Sequence, residues 1–191
     1  IEDGLFREFD MQTVWGMQNW PSMDMGLAGI HDGVCMANAD EFTMVIRGRG
    51  GHAAQPHMTL DPIPCGAAIV QSLQTVVSRR VSPVDSAVVS VTIFQAGSAK
   101  NVISDDVRIG GTARCFRKET RKLLEDSIRE ISESTATLYG CEIDFEWHAG
   151  YPATVNHAAE AERAAQVMET VIGEDNVDRD VEPSLGGEDF A

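Results

Sequence analysis

Between positions 41 and 152 the chain moves between two rhythms of apolar and polar residues. EFTMVIRGRG (41–50) alternates, with Phe42, Met44 and Ile46 on one side and Thr43, Val45 and Arg47 on the other, which predicts a half-buried strand. Asp61-Pro62 then reads as a helix cap followed by proline at the first helical position, where its missing N–H costs nothing. Ile63, Ala67, Val70, Leu73 and Val77 recur every three to four residues and are expected to face inward, with Arg79 and Arg80 at the helix's negative end. AVVSVTIFQAG (87–97) and the segment 106–116 predict two more strands. The second of these carries Val107, Ile109, Ala113 and Cys115 on one face and Arg108, Thr112, Arg114 and Phe116 on the other. A second helix follows, with Leu124, Ile128, Ile131 and Leu138 expected inward and Gly140 as its stop. In CEIDFEWHAG (141–150), Cys141, Ile143, Phe145 and Trp147 point in, while Glu142, Asp144, Glu146 and His148 point to water.

The order β-α-β-β-α-β over residues 41–152 is the ferredoxin-like pattern, and the fold class is α+β. Both helices would cover one face of an antiparallel sheet, leaving the other open. The flanks differ. Residues 1–40 mix turns with strand-like pieces such as TVWGM. Residues 153–191 hold one helix, with Asn156 as cap, Ala161, Ala164, Met168 and Val171 inward and Gly173 as stop, and then an acidic tail. Neither flank supports its own core; 1–40 and 153–191 read as two pieces of one larger domain interrupted by the middle.

The net charge of −15 repels phosphate backbones and argues against nucleic-acid binding. No apolar run approaches the roughly 20 residues that span a bilayer, so no membrane role is expected. Four widely spaced cysteines, 35, 65, 115 and 141, lack a Cys-x-x-Cys pair and read as buried free thiols in a reducing cytoplasm.

Among the histidines, His52 stands out because Gly48, Gly50 and Gly51 precede it, which implies unusual torsions or close approach of another group. His31, His148 and His157 read as plain surface or turn residues. A metal site through His52 and His57 has little support: Pro56 lies between them, and the stretch is not helical. Asn101 lies in a loop between strands, and Arg114 on the strand after it. Arg114 is open to two readings, a solvated or ion-paired arginine, or a fork holding a carboxylate through two parallel hydrogen bonds.

VWGMQNWP (14–21), ADEFTMVIRGRGGHAAQPHMTLDP (39–62), SVTIFQAGSAKNVISDDVRIGGTARCF (90–116) and GGEDF (186–190) together resemble the aminoacylase/carboxypeptidase metallohydrolases, in the branch of hippurate hydrolase and the plant auxin-conjugate amidohydrolases. The resemblance implies an α/β catalytic domain, here 1–40 and 153–191, with a lid over 41–152 through which two subunits pair. It implies a metal-dependent amidohydrolase cleaving N-acyl amino acids to acid and amino acid, with two divalent ions, zinc or manganese. By position, His52 matches the lid histidine that hydrogen-bonds the oxyanion in the partner's site. Asn101 and Arg114 match the lid pair that holds the substrate carboxylate, and the glycines before His52 would let its turn approach the partner. His57 has no equivalent role. The family's Cys-x-His ligands and Glu-Glu pair are expected upstream of Ile1, and its C-terminal histidine beyond Ala191. Gln18 occupies a usual histidine-ligand position, and an amide binds zinc far more weakly than imidazole. The chain alone is therefore expected to hold no metal pair and to be inactive. The alternative is a catalytically incompetent fragment or homologue acting as a dimerisation or ligand-binding module.

Overall fold

The alternation read at 42, 44 and 46 is realised in strand β1 (Asp40–Arg47), where those three side chains are buried and their neighbours face out. The structure, a computed structural model, describes residues 4–191. Helix α1 (Pro62–Thr75), strands β2 (Ala87–Ala96) and β3 (Asp106–Cys115), helix α2 (Lys118–Tyr139) and strand β4 (Glu142–His148) complete the middle unit. Its sheet is antiparallel throughout, in the order β2-β3-β1-β4. The predicted β-α-β-β-α-β unit is thus present. Its core joins Phe42, Met44, Ile46, Val107 and Ile109 from the sheet to Ile69, Leu73, Leu124 and Ile128 from the helices. At the centre of β3, a Cβ on Gly111 would stand 2.5 Å from the Phe42 ring and 2.2 Å from the Ser90 carbonyl. Only glycine lets that ring lie there, stacked 6.5 Å from Trp147.

Three helix readings need correction. In α1 the Asp61 side chain accepts from the Ile63 N–H at 3.0 Å, as its cap role requires, but the buried stripe is Cys65, Gly66, Ile69 and Leu73. Ile63 and Ala67 face out, while Val70 and Val77 are half-buried. The reason is Gly66. A Cβ there would meet Phe94 and Val107 at 3.1 Å, so the line of closest approach to the sheet runs through a residue that scores as nothing on a hydrophobic pattern. In α2, Leu138 is 81% exposed, because it follows the inward Ala136 by two residues and so projects from the opposite side. Gly140 (φ 71°) does end that helix. In helix α3 (Ala158–Ile172) the buried residues are Ala161 and Ala165, and Val171 is exposed. Asn156 does not cap it. It lies in a short strand, and its Nδ2 donates to the His31 carbonyl at 2.7 Å.

The flanks bond to each other. Gly33–Met36 pairs antiparallel with Thr154–Asn156, and Ala28–Gly29 pairs parallel with Val177–Asp178. TVWGM (13–17) forms no strand. All four cysteines are free. Burial pushes the Cys65 thiol up to about 12 and that of Cys115 up to about 11.

A polar cluster ties the middle unit to both chain crossings at its base. Asp40 has no exposure to water. Its carboxylate accepts from Arg121 Nε at 2.7 Å and from Arg121 Nη2, from Asn38 Nδ2 at 2.8 Å and from the Gly150 N–H at 3.0 Å. Arg121 also donates to the Gly150 carbonyl at 3.1 Å, and Asn38 accepts from the Cys115 N–H at 2.8 Å. One arginine on α2 thereby fixes the entering segment at 38–40 and the leaving segment at 150. Arg121→Ala leaves a buried carboxylate without its counter-charge. It should destabilise the protein by about 3 kcal/mol in urea unfolding, at the low end for such a pair because the guanidinium is a quarter exposed.

Candidate functional site

His52 lies in the two-residue strand Gly51–His52, which pairs with Val102–Ile103. The Ala53 N–H donates to the Asn101 carbonyl at 3.0 Å, so the loops carrying His52 and Asn101 are bound side by side at one end of the sheet, both exposed. The Ala54 N–H donates to His52 Nδ1 at 3.1 Å. A backbone N–H can only donate, so Nδ1 is the acceptor, and in the neutral ring the proton sits on Nε2. The histidine thus presents one N–H outward, the form needed to stabilise a developing oxyanion.

The three glycines before His52 serve their own chain. None has a positive φ. A Cβ on Gly48 would stand 2.1 Å from the Leu60 carbonyl, one on Gly50 2.4 Å from the Ile103 carbonyl, and one on Gly51 2.8 Å from the Thr59 methyl. They let the loop pack on residues 59–60 and 103–105. Approach of a partner, the expected reason, is not what this geometry requires. His57 sits exposed in the 3-10 turn Pro56–Met58.

Arg114 is at the other end of β3. It is half-buried and lines a cleft of about 420 Å³ with Ala39, Glu41, His148, Gly150, Tyr151 and Gly187. The nearby Arg117 and Arg121 are paired with Asp85 and Asp40, but Arg114 has no carboxylate partner within salt-bridge distance among the described residues. A half-buried guanidinium left without a counter-charge has hydrogen-bonding capacity to offer an external anion, although the same cleft also holds Glu41. Glu41 and His148 stand opposite each other in the register, and His148 Nε2 lies 3.3 Å from Thr43 Oγ1. Alternation placed His148 on the water-facing side of its strand, but only register brings it and Glu41 to the Arg114 cleft. Gly187 belongs to the GGEDF segment (186–190), which the chain brings to the same cleft.

Asn101 and Arg114 do not come together within one chain. Eight residue steps separate Asp106 from Arg114 along β3, about 26 Å in extended strand, and Asn101 lies beyond Asp106. Within one chain Asn101 accompanies His52, and Arg114 stands at the opposite end of β3. Gln18 is exposed in a segment without regular structure. Among the described residues no three His, Cys, Asp or Glu side chains gather as a metal site, so they do not form a cradle for a dinuclear centre.

Comparison with known proteins places these features. N-acetylcysteine deacetylase of Bacillus subtilis (strain 168) is 38% identical over 181 residues, covering 95% of this chain and 47% of that protein. Hippurate hydrolase of Campylobacter jejuni is 36% identical over 190 residues, covering 100% of this chain and 50% of the other. A crystal structure from Bacillus subtilis, described as a dinuclear metal binding peptidase from the M20 family, superposes with a TM-score of 0.70 at 32% identity, over 92% of this chain and 43% of that one. The chain spans about half the length of the curated relatives it matches. Residues 36–139, more than half of the chain, match the peptidase dimerisation domain of the M20 enzymes, and the chain belongs to that family.

Proposed function

We propose that this chain supplies the lid (41–152) and part of the catalytic domain (1–40 and 153–191) of a homodimeric, metal-dependent amidohydrolase. The reaction is cleavage of N-acyl amino acids, N-benzoylglycine (hippurate) among them, to acid and amino acid. The observation that carries this reading is the separation of two complementary half-sites: an outward Nε2–H of His52 beside Asn101, and an unmatched Arg114 at the far end of β3. Neither half is useful alone. An oxyanion donor needs a substrate held by its other end, and a carboxylate fork needs chemistry at the acyl carbon. Amide hydrolysis in the relatives favours this reading over a binding module without catalysis. The four free cysteines support a reducing compartment, the cytoplasm.

A second copy of the chain would join the halves. Edge strand β2 bonds only to β3, and beside it Ile63 of α1 and Ile93 and Phe94 of β2 are exposed. These residues border a cleft of about 420 Å³ lined by Ala67, Val70, Val91, Ile93 and Phe94. Two β2 strands paired antiparallel about a two-fold axis would bury these apolar side chains. The same rotation reverses one lid relative to the other. The His52–Asn101 end of one subunit then falls on the side of the sheet where its partner presents Arg114.

In the reaction, Arg114 would hold the substrate carboxylate through its two parallel N–H groups. His52 of the other subunit would donate Nε2–H to the carbonyl oxygen as charge develops there, with Asn101 beside it. The metal ligands of such an enzyme would come from residues other than those that line these half-sites.

Four outcomes test the reading in the full-length protein. His52→Ala should lower kcat by about 10²–10³ with KM little changed, the pattern of a contact made in the transition state; an unchanged kcat removes the oxyanion role. Arg114→Met should cost carboxylate substrates roughly 30- to 150-fold in kcat/KM, about 2–3 kcal/mol, and cost their amides much less. Phe94→Glu should shift sedimentation from dimer to monomer and abolish activity. Mixed His52→Ala and Arg114→Met subunits should recover about a quarter of wild-type activity after exchange, because half of the dimers would have one intact composite site. No recovery after verified exchange would overturn the composite site.

A further inference from the structure

We infer that Gly187 is a positioning residue for Arg114, set at its place so that the guanidinium fork can lie against the C-terminal flank and face a substrate carboxylate. The inference rests on the carboxylate reading of Arg114 above. Gly187 does not have a positive φ, so torsion does not require glycine there. Space does. A Cβ at 187 would stand 2.8 Å from Arg114 Nη1, 2.8 Å from the Ala39 Cβ and 3.4 Å from the Ala37 carbonyl oxygen.

Of these neighbours, the wall at 37–40 has little freedom. The Ala37 N–H bonds to the carbonyls of Ser184 and Gly186, both at 3.0 Å, and the Ala39 N–H bonds to that of Tyr151 at 3.1 Å. Behind them Asp40 is held by Arg121. The free end of Arg114 is the part that can yield, and yielding turns the fork. Two parallel hydrogen bonds to a planar carboxylate need the fork in one plane, so a displacement of about an ångström weakens recognition without removing charge. Gly187 lines the same cleft as Arg114 and carries no functional atom of its own. Its contribution is room.

The test isolates the Arg114 contact from the Ala39 contact. In the full-length protein, Ala39→Gly serves as the background, because it removes the other close approach of a new Cβ. Adding Gly187→Ala should then raise KM for N-benzoylglycine and lower kcat/KM about tenfold, while kcat/KM for N-benzoylglycinamide stays within about twofold. In the Ala39→Gly/Arg114→Met background the same Gly187→Ala should cause no further loss, the non-additivity expected of two residues acting through one contact. Equal losses on acid and amide, or a full additional loss without Arg114, would overturn the inference. Failure of Ala39→Gly/Gly187→Ala to fold would also overturn it, because it would assign the glycine to the fold. If Arg114→Met alone does not distinguish acid from amide, the carboxylate reading itself falls.

Discussion

A carboxylate sealed from water must be matched in charge and hydrogen bonds, and Asp40 meets that demand with Arg121, Asn38 and the Gly150 N–H. Much else depends on this satisfied cluster. It holds β1 where the chain enters the sheet and residue 150 where the chain leaves it, so two distant points of the sequence act as one joint. Ala39 and Glu41, on either side of Asp40, also line the Arg114 cleft. A buried pair of this kind contributes modestly to net stability. Its use is to fix one arrangement of two crossings that could otherwise slide.

The separation of the half-sites follows from sheet geometry. β3 carries Arg114 near the joint, and the loops beyond its other end carry Asn101 and His52. β3 spans ten residues, so within one chain Arg114 and the His52–Asn101 loops stay at opposite ends of the sheet. Membership of a dimerisation-domain family and an apolar, unpaired β2 edge are consistent with this separation.

Much of this was legible in the chain, and the failures have physical causes. The strands were clear because a sheet covered on one face imposes a period of two, as at Phe42, Met44 and Ile46. The stripe of α1 was misread because both of its sides are apolar and the contact line runs through Gly66, where close approach replaces bulk. Asn156 had the chemistry of a cap, yet a strand-pairing partner in the other flank claimed it first. His52 could be singled out by its glycines, although their purpose, packing on residues 59–60 and 103–105, needed coordinates. The division of Asn101 from Arg114 depends on register and length along β3, neither of which appears in a motif. Gly187 stood inside the GGEDF motif, but its relation to Arg114 is a matter of space that no motif spells out.

The two edges of the sheet are unlike. β2 ends in the exposed Ile93 and Phe94, whereas β4 bears Glu142, Asp144 and Glu146 at alternate positions. Two β4 strands brought together would set like charges side by side, which opposes their pairing. A sheet with one adhesive margin and one repelling margin can be joined once and then has nothing left to add. Strand addition is thus favoured by the apolar margin at β2 and opposed by the acidic margin at β4.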